Sequence, residues 1–311
     1  MQWFQFKREF QFVGHRRRAF VISGLLIVLS LGALTVKGLQ FGIDFTGGHL
    51  IEVGFEQPVE LQSVRNALAE DGFDDALVQH FGSTREVLVR LAPRGEDSSA
   101  ALSDQILRVL DRSFEQGTEL RRVEFVGPQV GAELRDEGGT ALILAMLMIL
   151  AYVAFRFEKR FALGSVAALA HDVTIVVGVF SLTGIEFGLP VLAALLAVIG
   201  YSLNDTIVVF DRIRENFRRQ RRGTAEEITN QSINQTLPRT LMTSLTTLIV
   251  LLALLFLGGE AIFAFAFALT IGVVVGTYSS IFIGATLLLA TGLSRDDMMP
   301  VQKEGEADGR P

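Results

Sequence analysis

The stretch LPVLAALLAVIGYSLNDTIVVF, residues Leu189–Phe210, decides the fold of this chain. It is long and apolar enough to cross the hydrocarbon core of a bilayer, which takes about 20 such residues. One carboxylate, Asp205, interrupts the apolar run near its end. A charge at membrane depth costs about 2.5–3.5 kcal/mol on insertion scales, so it is usually retained where it pairs, faces water or moves a proton. The stretch therefore predicts a membrane protein that handles an ion inside the bilayer.

Five further apolar blocks have the same character as this stretch. The first block is too long for a typical signal-peptide core, and no Ala-x-Ala cleavage pattern follows it, so we interpret it as an uncleaved anchor. The last block is long enough to tilt, or to kink at Gly272 or Gly276. Together the blocks predict six transmembrane helices, at residues 19–36, 140–155, 163–182, 189–210, 241–257 and 261–290.

The composition of the 311-residue chain excludes several classes of protein. There is no cysteine, so disulfides and thiolate metal sites are excluded. No GxxxxGK[ST], HExxH or GxSxG motif occurs, which argues against nucleotide hydrolysis and against two common hydrolase classes. The net charge of −6 says little about partners, because the basic residues cluster where membrane topology requires them. We expect no cofactor, no metal, no nucleic-acid partner and no enzymatic activity.

Basic residues in the short polar segments predict the orientation of the six spans. Arg16–Arg18, Arg156–Arg160 and Arg212–Arg222 are strongly basic, whereas the turns Thr183–Gly188 and Gly258–Glu260 contain no Lys or Arg. Because short cytoplasmic loops carry an excess of Lys and Arg, this pattern puts both termini in the cytoplasm. The cytoplasmic segments are then residues 1–18, the basic loop 211–238 and the tail 291–311, and residues 37–139 lie outside, in the periplasm.

The segment 37–139 is polar enough to form a soluble domain between the first two spans. Strands are predicted at 49–55, 76–82, 86–91 and 121–126, and helices at 59–71 and 98–116. This order is typical of an α+β ferredoxin-like, split βαβ unit. The fold class is thus an α-helical membrane protein with six spans and one extracytoplasmic domain. A scaffold that only spaces the spans, and a surface that handles a substrate, both remain open.

Glycine-rich segments join this domain to the spans on either side. Glycine adopts backbone conformations that other residues avoid, which suits tight junctions or hinges. The predicted junction residues are Gly42, Asp44, Gly47 and Gly48 before the domain, and Gly127, Pro128 and Gly131 after it.

Helical spacing groups the polar residues of the fourth and fifth spans. Arg239 and Thr243 lie at i and i+4 on one face of the fifth, and Tyr201 and Asp205 share a face of the fourth. An Asp beside an Arg stays ionised, whereas an Asp separated from it in a low dielectric takes up a proton. We therefore predict Asp205 and Arg239 as a proton switch, with Asp172 and Thr243 as further candidates for proton transport.

The residues alone leave alternatives open. A static Asp205–Arg239 pair would only fix the register of the two helices. Asp172 would be structural if His171 satisfies its hydrogen bonds. The threonines of the fifth span would then only stabilise the packing between helices. Asp172 and Asp205 also formally fit the two acids of an intramembrane aspartyl protease. Arg239 argues against that enzyme, because a nearby cation keeps an acid ionised.

Several blocks resemble the SecF family, membrane subunits of the bacterial protein-export machinery. The resemblance covers essentially the whole chain apart from the acidic tail after Met298. The blocks, in order, are Gly42–Gly48, Val126–Gly131, His171-Asp172-Val173, the run GYSLNDTIVVFDRIREN at Gly200–Asn216, and Gly276–Ile281.

The resemblance implies a subunit that works with SecD and uses the proton-motive force to complete polypeptide translocation across the inner membrane. It also implies the SecYEG channel and YajC as partners. In that family an Asp of the fourth span and an Arg of the fifth are implicated in proton transport, and the matching positions here are Asp205 and Arg239. The alternatives are a proton-coupled small-molecule efflux transporter of the related resistance-nodulation-division superfamily, and a passive assembly scaffold.

Overall fold

A computed structural model describes residues 9–93, 99–114, 117–157, 159–220 and 222–292. Residues 1–8 of the predicted N-terminal segment and residues 293–311 of the predicted tail lie outside the described residues. In chain order the elements are α1 (Arg16–Val36), α2 (Ile43–Thr46), β1 (Gly48–Phe55), α3 (Leu61–Glu70), β2 (Leu77–Phe81), β3 (Ser83–Leu91), α4 (Ser99–Ser113), β4 (Thr118–Val126), α5 (Pro128–Arg156), α6 (Lys159–Thr183), α7 (Leu189–Arg219), α8 (Ala225–Leu257), α9 (Glu260–Ser279) and α10 (Ala285–Ala290).

Six helices of the described residues are long and apolar enough to cross a membrane: α1, α5, α6, α7, α8 and the continuous run from α9 to α10. Large apolar side chains such as Leu25, Leu147 and Leu252 are exposed on their outer faces. Such a surface is stable next to lipid or a partner helix and not in water. The prediction of six membrane helices, with one small sheet domain between the first two, is confirmed.

Three of these helices extend beyond the apolar stretches that predict them. α5 starts at Pro128 rather than at Thr140, and α7 continues to Arg219. The segment 211–238, predicted as a loop, is helical up to Arg219 and again from Ala225 onward, because α8 already begins at Ala225. Hydropathy detects only the part of a helix inside the hydrocarbon, whereas backbone hydrogen bonds continue past it. Thr224 and Glu227 form a capping box that starts α8 well before its apolar part.

The soluble domain is a four-stranded antiparallel sheet with two helices on one face. The strand order β2-β3-β1-β4 interleaves two βαβ units and agrees with the ferredoxin-like order predicted from the sequence. Ile51 and Val89 from the sheet pack against Leu68 of α3 and Ile106 of α4, and all four are fully buried. The strands alternate apolar and polar positions, which puts the helix-facing residues on one side.

The other face of the sheet is turned toward one end of the helix bundle, called here the domain end. Leu50 and Leu88 on that face pack against Ile43 of α2. The β2–β3 turn at Gly82 lies against Glu260, the first residue of α9. The opposite end, called here the basic end, carries the connection between α7 and α8. The domain is therefore docked on the bundle directly and not only through the chain connections.

Two glycines of α9 set its close packing on α7. A Cβ at Gly272 would collide with Val198, and one at Gly276 would sit 3.0 Å from the Cβ of Ser202. Both glycines lie within the continuous α-helix Glu260–Ser279. The departure from α-helical geometry comes later, in a π-helical turn at Ser280–Gly284. Such π turns are frequent at functional sites.

Candidate functional site

Asp205 is buried in the middle of the bundle, with 3% of its surface exposed. Its Oδ2 atom receives no hydrogen bond from the part of the chain that the structure describes. An ionised carboxylate oxygen without a donor is costly to bury. The site therefore favours a change that neutralises this carboxylate or brings a donor to it.

Two side chains of α8 act on Asp205. The positive charge of Arg239 attracts the carboxylate, and Ser244 lies beside it. Arg239 is exposed on the outside of α8, and within the described residues it forms no ion pair with Asp205. The positive charge of Arg239 therefore acts on Asp205 from α8 without an ion pair between the two side chains.

Ser244 is the hydroxyl at this site that the sequence reasoning did not select. Its Oγ lies 2.7 Å from Thr277 Oγ1 of α9, and Tyr201 Oη of α7 donates to it at 3.5 Å. Thr243, which was selected, donates at 2.9 and 3.2 Å to carbonyls of its own helix, those of Thr240 and Arg239. The pair Thr240 and Ser244 has the same i, i+4 spacing as Arg239 and Thr243. Spacing alone therefore cannot tell which face of α8 is buried.

Asp172 lies on α6 and is completely buried. Its Oδ2 accepts hydrogen bonds from Ser202 of α7 at 2.6 Å and from Ser279 of α9 at 2.8 Å. Its Oδ1 lies 2.9 Å from Nδ1 of His171. Ser202 is three residues before Asp205, so α7 carries a contact to Asp172 and the second carboxylate one helical turn apart. Asp172 thus contacts α7 through Ser202, whereas Asp205 belongs to α7 itself, and no hydrogen bond joins the two acids within the described residues.

The predicted junction residues meet the domain end of the bundle. Asp44 Oδ2 accepts a 2.8 Å hydrogen bond from the backbone N–H of Leu189, the first residue of α7. Gly42 N–H donates to the carbonyl of Phe187 at 3.0 Å, which ties the junction to the α6–α7 turn. The sequence therefore pointed to a junction, and the structure adds that this junction holds the start of the helix that carries Asp205.

Close backbone approach requires glycine at three of the junction positions. At Gly48, where φ is +123°, a Cβ would collide with the carbonyl oxygen of Leu91. Gly47 has a φ of +69°, and a Cβ there would lie 2.7 Å from Cα of Pro128. A Cβ at Gly131 would lie 2.6 Å from the backbone nitrogen of Gly47. Gly127, in contrast, has open space where a Cβ would be, and it serves as the N-cap of α5 before Pro128. The junction is therefore a tightly packed seam between α2 and α5.

An ion pair connects the sheet to the α6–α7 turn beside this seam. Arg90 of β3 lies 3.6 Å from Glu186 in the α6–α7 turn, and it donates at 2.7 Å to the carbonyl of Phe41. Burial raises the pKa of Glu186, and the nearby Asp44 carboxylate adds to the rise, while Arg90 and the backbone N–H of Ile43 oppose it. Glu186 is therefore a carboxylate that can bind a proton at the contact between the domain and the bundle.

The described residues bring together no group of three or more His, Asp or Glu side chains that could hold a metal ion.

Comparisons with known proteins agree with this architecture. Residues 106–294 match the family described as protein export membrane protein SecD/SecF, C-terminal, and residues 32–59 match the SecD/SecF GG motif. The chain is 52% identical to the protein translocase subunit SecF of Vibrio alginolyticus, over 93% of this chain and 91% of that protein. It is 49% identical to the SecF subunit of Pseudomonas aeruginosa, over 96% and 97% of the two chains.

Solved structures of larger proteins resemble the chain as well. The crystal structure of SecDF from Thermus thermophilus, a translocon-associated membrane protein, superposes with a TM-score of 0.84 at 43% identity and covers 92% of this chain. A SecDF structure in a super-membrane-facing form gives a TM-score of 0.69 at 42% identity, over 93% of this chain. The chain spans 39% of the length of each of those SecDF chains.

These matches cover nearly the whole chain and include both the glycine-rich junction and the helix bundle that holds Asp172 and Asp205. The relatives are named as translocase subunits, which does not favour the alternative of a small-molecule efflux transporter. The chain belongs to the SecD/SecF family of protein export membrane proteins.

Proposed function

We propose that this chain is the SecF-type subunit of the Sec export machinery and works with a SecD partner. Its role is to use the proton-motive force to complete the translocation of an unfolded polypeptide across the bacterial inner membrane. The part it plays is mechanical and not enzymatic. The names of its relatives and its likeness to one part of the longer SecDF chains support this assignment. The SecYEG channel and YajC complete the proposed set of partners.

The orientation that we propose puts both termini in the cytoplasm and the soluble domain in the periplasm. The basic end of the bundle, with Arg218, Arg219 and Arg222 at the loop between α7 and α8, supports it. The turns at the domain end, 184–188 and 258–259, have no Lys or Arg. An excess of Lys and Arg in short loops is typical of the cytoplasmic side.

The observation that carries the proposed function is the state of Asp205. Its carboxylate is buried, one of its oxygens has no donor in the described residues, and Arg239 attracts it from α8 without an ion pair. A proton on Asp205 removes its charge and with it the attraction to Arg239, so the protonated and ionised states favour different packing of α7 on α8. Asp205 and Arg239 are the proposed proton-transport residues; Asp172 and Thr243 are secondary candidates.

The change at Asp205 reaches the soluble domain through α7. Leu189 at the start of α7 is held by Asp44, and Asp205 lies 16 residues further along, which is about 24 Å on a rigid helix. Gly47 and Gly131 pack the Asp44 segment against α5. A shift of α7 is therefore transmitted to the seam on which the domain is docked. In this view the junction glycines act as hinges.

The test uses vesicles that contain this chain with SecD and the Sec channel. Asp205→Asn removes the titratable group with almost no change of shape, and we expect it to abolish the stimulation of export by a proton gradient while membrane insertion stays normal. Asp211→Asn is the matched control, because Asp211 lies on the same helix and pairs with Arg156 at the basic end. Full gradient dependence in the Asp205→Asn variant would contradict the proposal.

A further inference from the structure

A second buried ionisable pair lies on α6, and the proposed switch at Asp205 does not need it. His171 and Asp172 are 5% and 0% exposed, and their side chains approach to 2.9 Å between Nδ1 and Oδ1. When Asp172 is ionised, its oxygens only accept hydrogen bonds, and Nδ1 of His171 then carries the proton of this contact. The orientation of the imidazole ring is thereby fixed, and its other nitrogen, Nε2, remains to be satisfied.

Nε2 of His171 begins a chain of hydroxyl groups that ends on a backbone carbonyl. It lies 3.1 Å from Ser23 Oγ of α1, and Ser23 Oγ lies 3.0 Å from Tyr278 Oη of α9. Tyr278 Oη lies 2.9 Å from the carbonyl oxygen of Ala19. Each link is within hydrogen-bond distance, so the chain runs without a gap from the imidazole to the backbone of α1.

This chain has two complete assignments of its protons. With neutral His171, Tyr278 donates to Ser23 and Ser23 donates to Nε2. With His171 protonated, Nε2–H donates to Ser23, Ser23 donates to Tyr278, and Tyr278 donates to the Ala19 carbonyl. Every hydrogen has an acceptor in both assignments. A proton added at Nε2 therefore reverses the direction of the chain by rotation of two hydroxyl groups, and it leaves no buried donor unsatisfied.

We propose that His171 is a second proton-binding site of the bundle, with Asp172 as its fixed counter-charge. The ligand is a proton delivered from water, which adds to the Nε2 lone pair; no other bond is made or broken. Ser202 and Ser279 donate to the second oxygen of Asp172, so the carboxylate stays hydrogen-bonded while the imidazolium forms beside it. An imidazolium next to this carboxylate is an ion pair with its hydrogen bonds made, the arrangement in which a buried charge is tolerated.

The described residues bring few other titratable groups to this pair. Tyr278 of α9 faces His171 with its ring centroid 6.1 Å away, and α1 contributes Ser23 and the Ala19 carbonyl. From α7 the nearest acid is Asp205, one turn beyond Ser202. The proton on His171 is therefore balanced by Asp172, which lies 2.9 Å away.

Neighbouring residues of α9 connect the two sites. Thr277 contacts Ser244 beside Asp205, whereas Ser279 contacts Asp172. The π-helical turn that starts at Ser280 follows directly, and it provides a place where this segment can change its winding. A proton bound at His171 therefore acts on α9, the helix that also contacts the Asp205 site. This part of the inference rests on the proposed function, since it makes His171 a regulator of proton transport at Asp205.

The experiment is a pH titration of the full chain in lipid, with SecD, by solid-state nitrogen NMR of ¹⁵N-histidine. The chain has four histidines, and the His171→Asn variant identifies the His171 signals by their loss. We expect His171 as the neutral imidazole protonated on Nδ1 at high pH and as the imidazolium at low pH, in a folded protein. A His171 that keeps one protonation state over the whole range in which the protein stays folded overturns the proposal.

Variants separate a proton site from a structural contact. Ser23→Ala removes the acceptor of Nε2–H, and we expect about a tenfold lower ratio of imidazolium to imidazole at a given pH. Asp172→Asn removes the counter-charge, and we expect the imidazolium signal to be lost. Ser30→Ala is the matched control, because Ser30 is also buried on α1 but packs on Gly178. An unchanged ratio in Ser23→Ala and Asp172→Asn would also overturn the proposal.

A failure of this inference can be told apart from a failure of the proposed function. The NMR titration needs no export activity, and Asp205→Asn protein gives it equally well. If His171 titrates while Asp205→Asn vesicles keep full gradient dependence, the proton site stands and the export proposal fails. If His171 does not titrate while Asp205→Asn abolishes gradient dependence, the export proposal stands and this inference fails.

Discussion

The carboxylate of Asp44 accepts a 2.8 Å hydrogen bond from the backbone N–H of Leu189, although the two residues are 145 positions apart in the chain. Gly188, the N-cap residue of α7, has no side chain that could cap the helix, so a residue of the glycine-rich junction supplies the cap from outside. An anion at a helix N-terminus is stabilised by the free N–H groups and by the helix dipole. The junction is therefore bonded directly to the start of α7, the helix that carries Asp205.

The first prediction concerns this cap. Asp44→Ala leaves the N–H of Leu189 without its acceptor, and we expect a loss of about 1 kcal/mol of stability, the usual cost of a lost cap. Asp44→Asn keeps an oxygen that can accept the hydrogen bond, so it should lose clearly less. Thermal unfolding in lipid nanodiscs measures both. Asp136→Ala, at an exposed Asp of α5, is the control. Equal stability of Asp44→Ala and the Asp136→Ala control would show that the cap is unimportant.

The second prediction is a pH dependence at the docking contact. Because burial raises the pKa of Glu186 above its ordinary value of 4.5, the folded chain binds this proton more tightly than the unfolded chain does. Its contribution to stability is therefore complete below pH 4.5 and is lost as the pH rises through the raised pKa. Glu186→Gln cannot titrate, so the stability of wild type relative to this variant should fall over that window.

Unfolding at a series of pH values, for wild type and Glu186→Gln, measures this difference directly. Glu133→Gln, which removes an exposed carboxylate of α5, is the control. A flat difference between wild type and Glu186→Gln over this window would show that the buried carboxylate does not sense pH.

The third prediction compares two glycines of α5. Gly131→Ala forces a methyl group against the backbone nitrogen of Gly47, and overpacking of this kind costs about 1–3 kcal/mol. Gly139→Ala has open space and, in a helix, gains up to about 1 kcal/mol from the better helix former. We expect faster proteolysis of the junction in Gly131→Ala and unchanged or slower proteolysis in Gly139→Ala. The same rate in both variants would contradict the packed seam.

The fourth prediction separates the two hydroxyl groups of α8. Ser244 faces Asp205 and contacts Thr277, whereas Thr243 is satisfied by carbonyls of its own helix. We therefore expect Ser244→Ala to reduce gradient-driven export several-fold and Thr243→Ala to leave it close to wild type. Export into vesicles with and without a proton gradient measures this. A larger loss in Thr243→Ala than in Ser244→Ala would mean that α8 presents its other face to Asp205.

The sequence by itself determined the six spans, the position of the soluble domain and the residue types of the site. Apolar blocks, strand alternation and glycine-rich junctions are local signals, so they are readable without tertiary information. The ends of α5, α7 and α8 were not readable in this way. A helix continues into polar residues as long as its hydrogen bonds and caps are satisfied, and hydropathy does not detect that.

Only the tertiary structure decided which groups meet. The rotation of α8 brings Ser244 rather than Thr243 to Asp205, and periodicity could not distinguish these two faces. The capping of α7 by Asp44 and the hydroxyl chain from His171 to Tyr278 join residues far apart in sequence. Such contacts depend on how the helices pack. Gly272 and Gly276 allow α9 to pack closely on α7. The sequence names the chemical groups, and packing determines their partners.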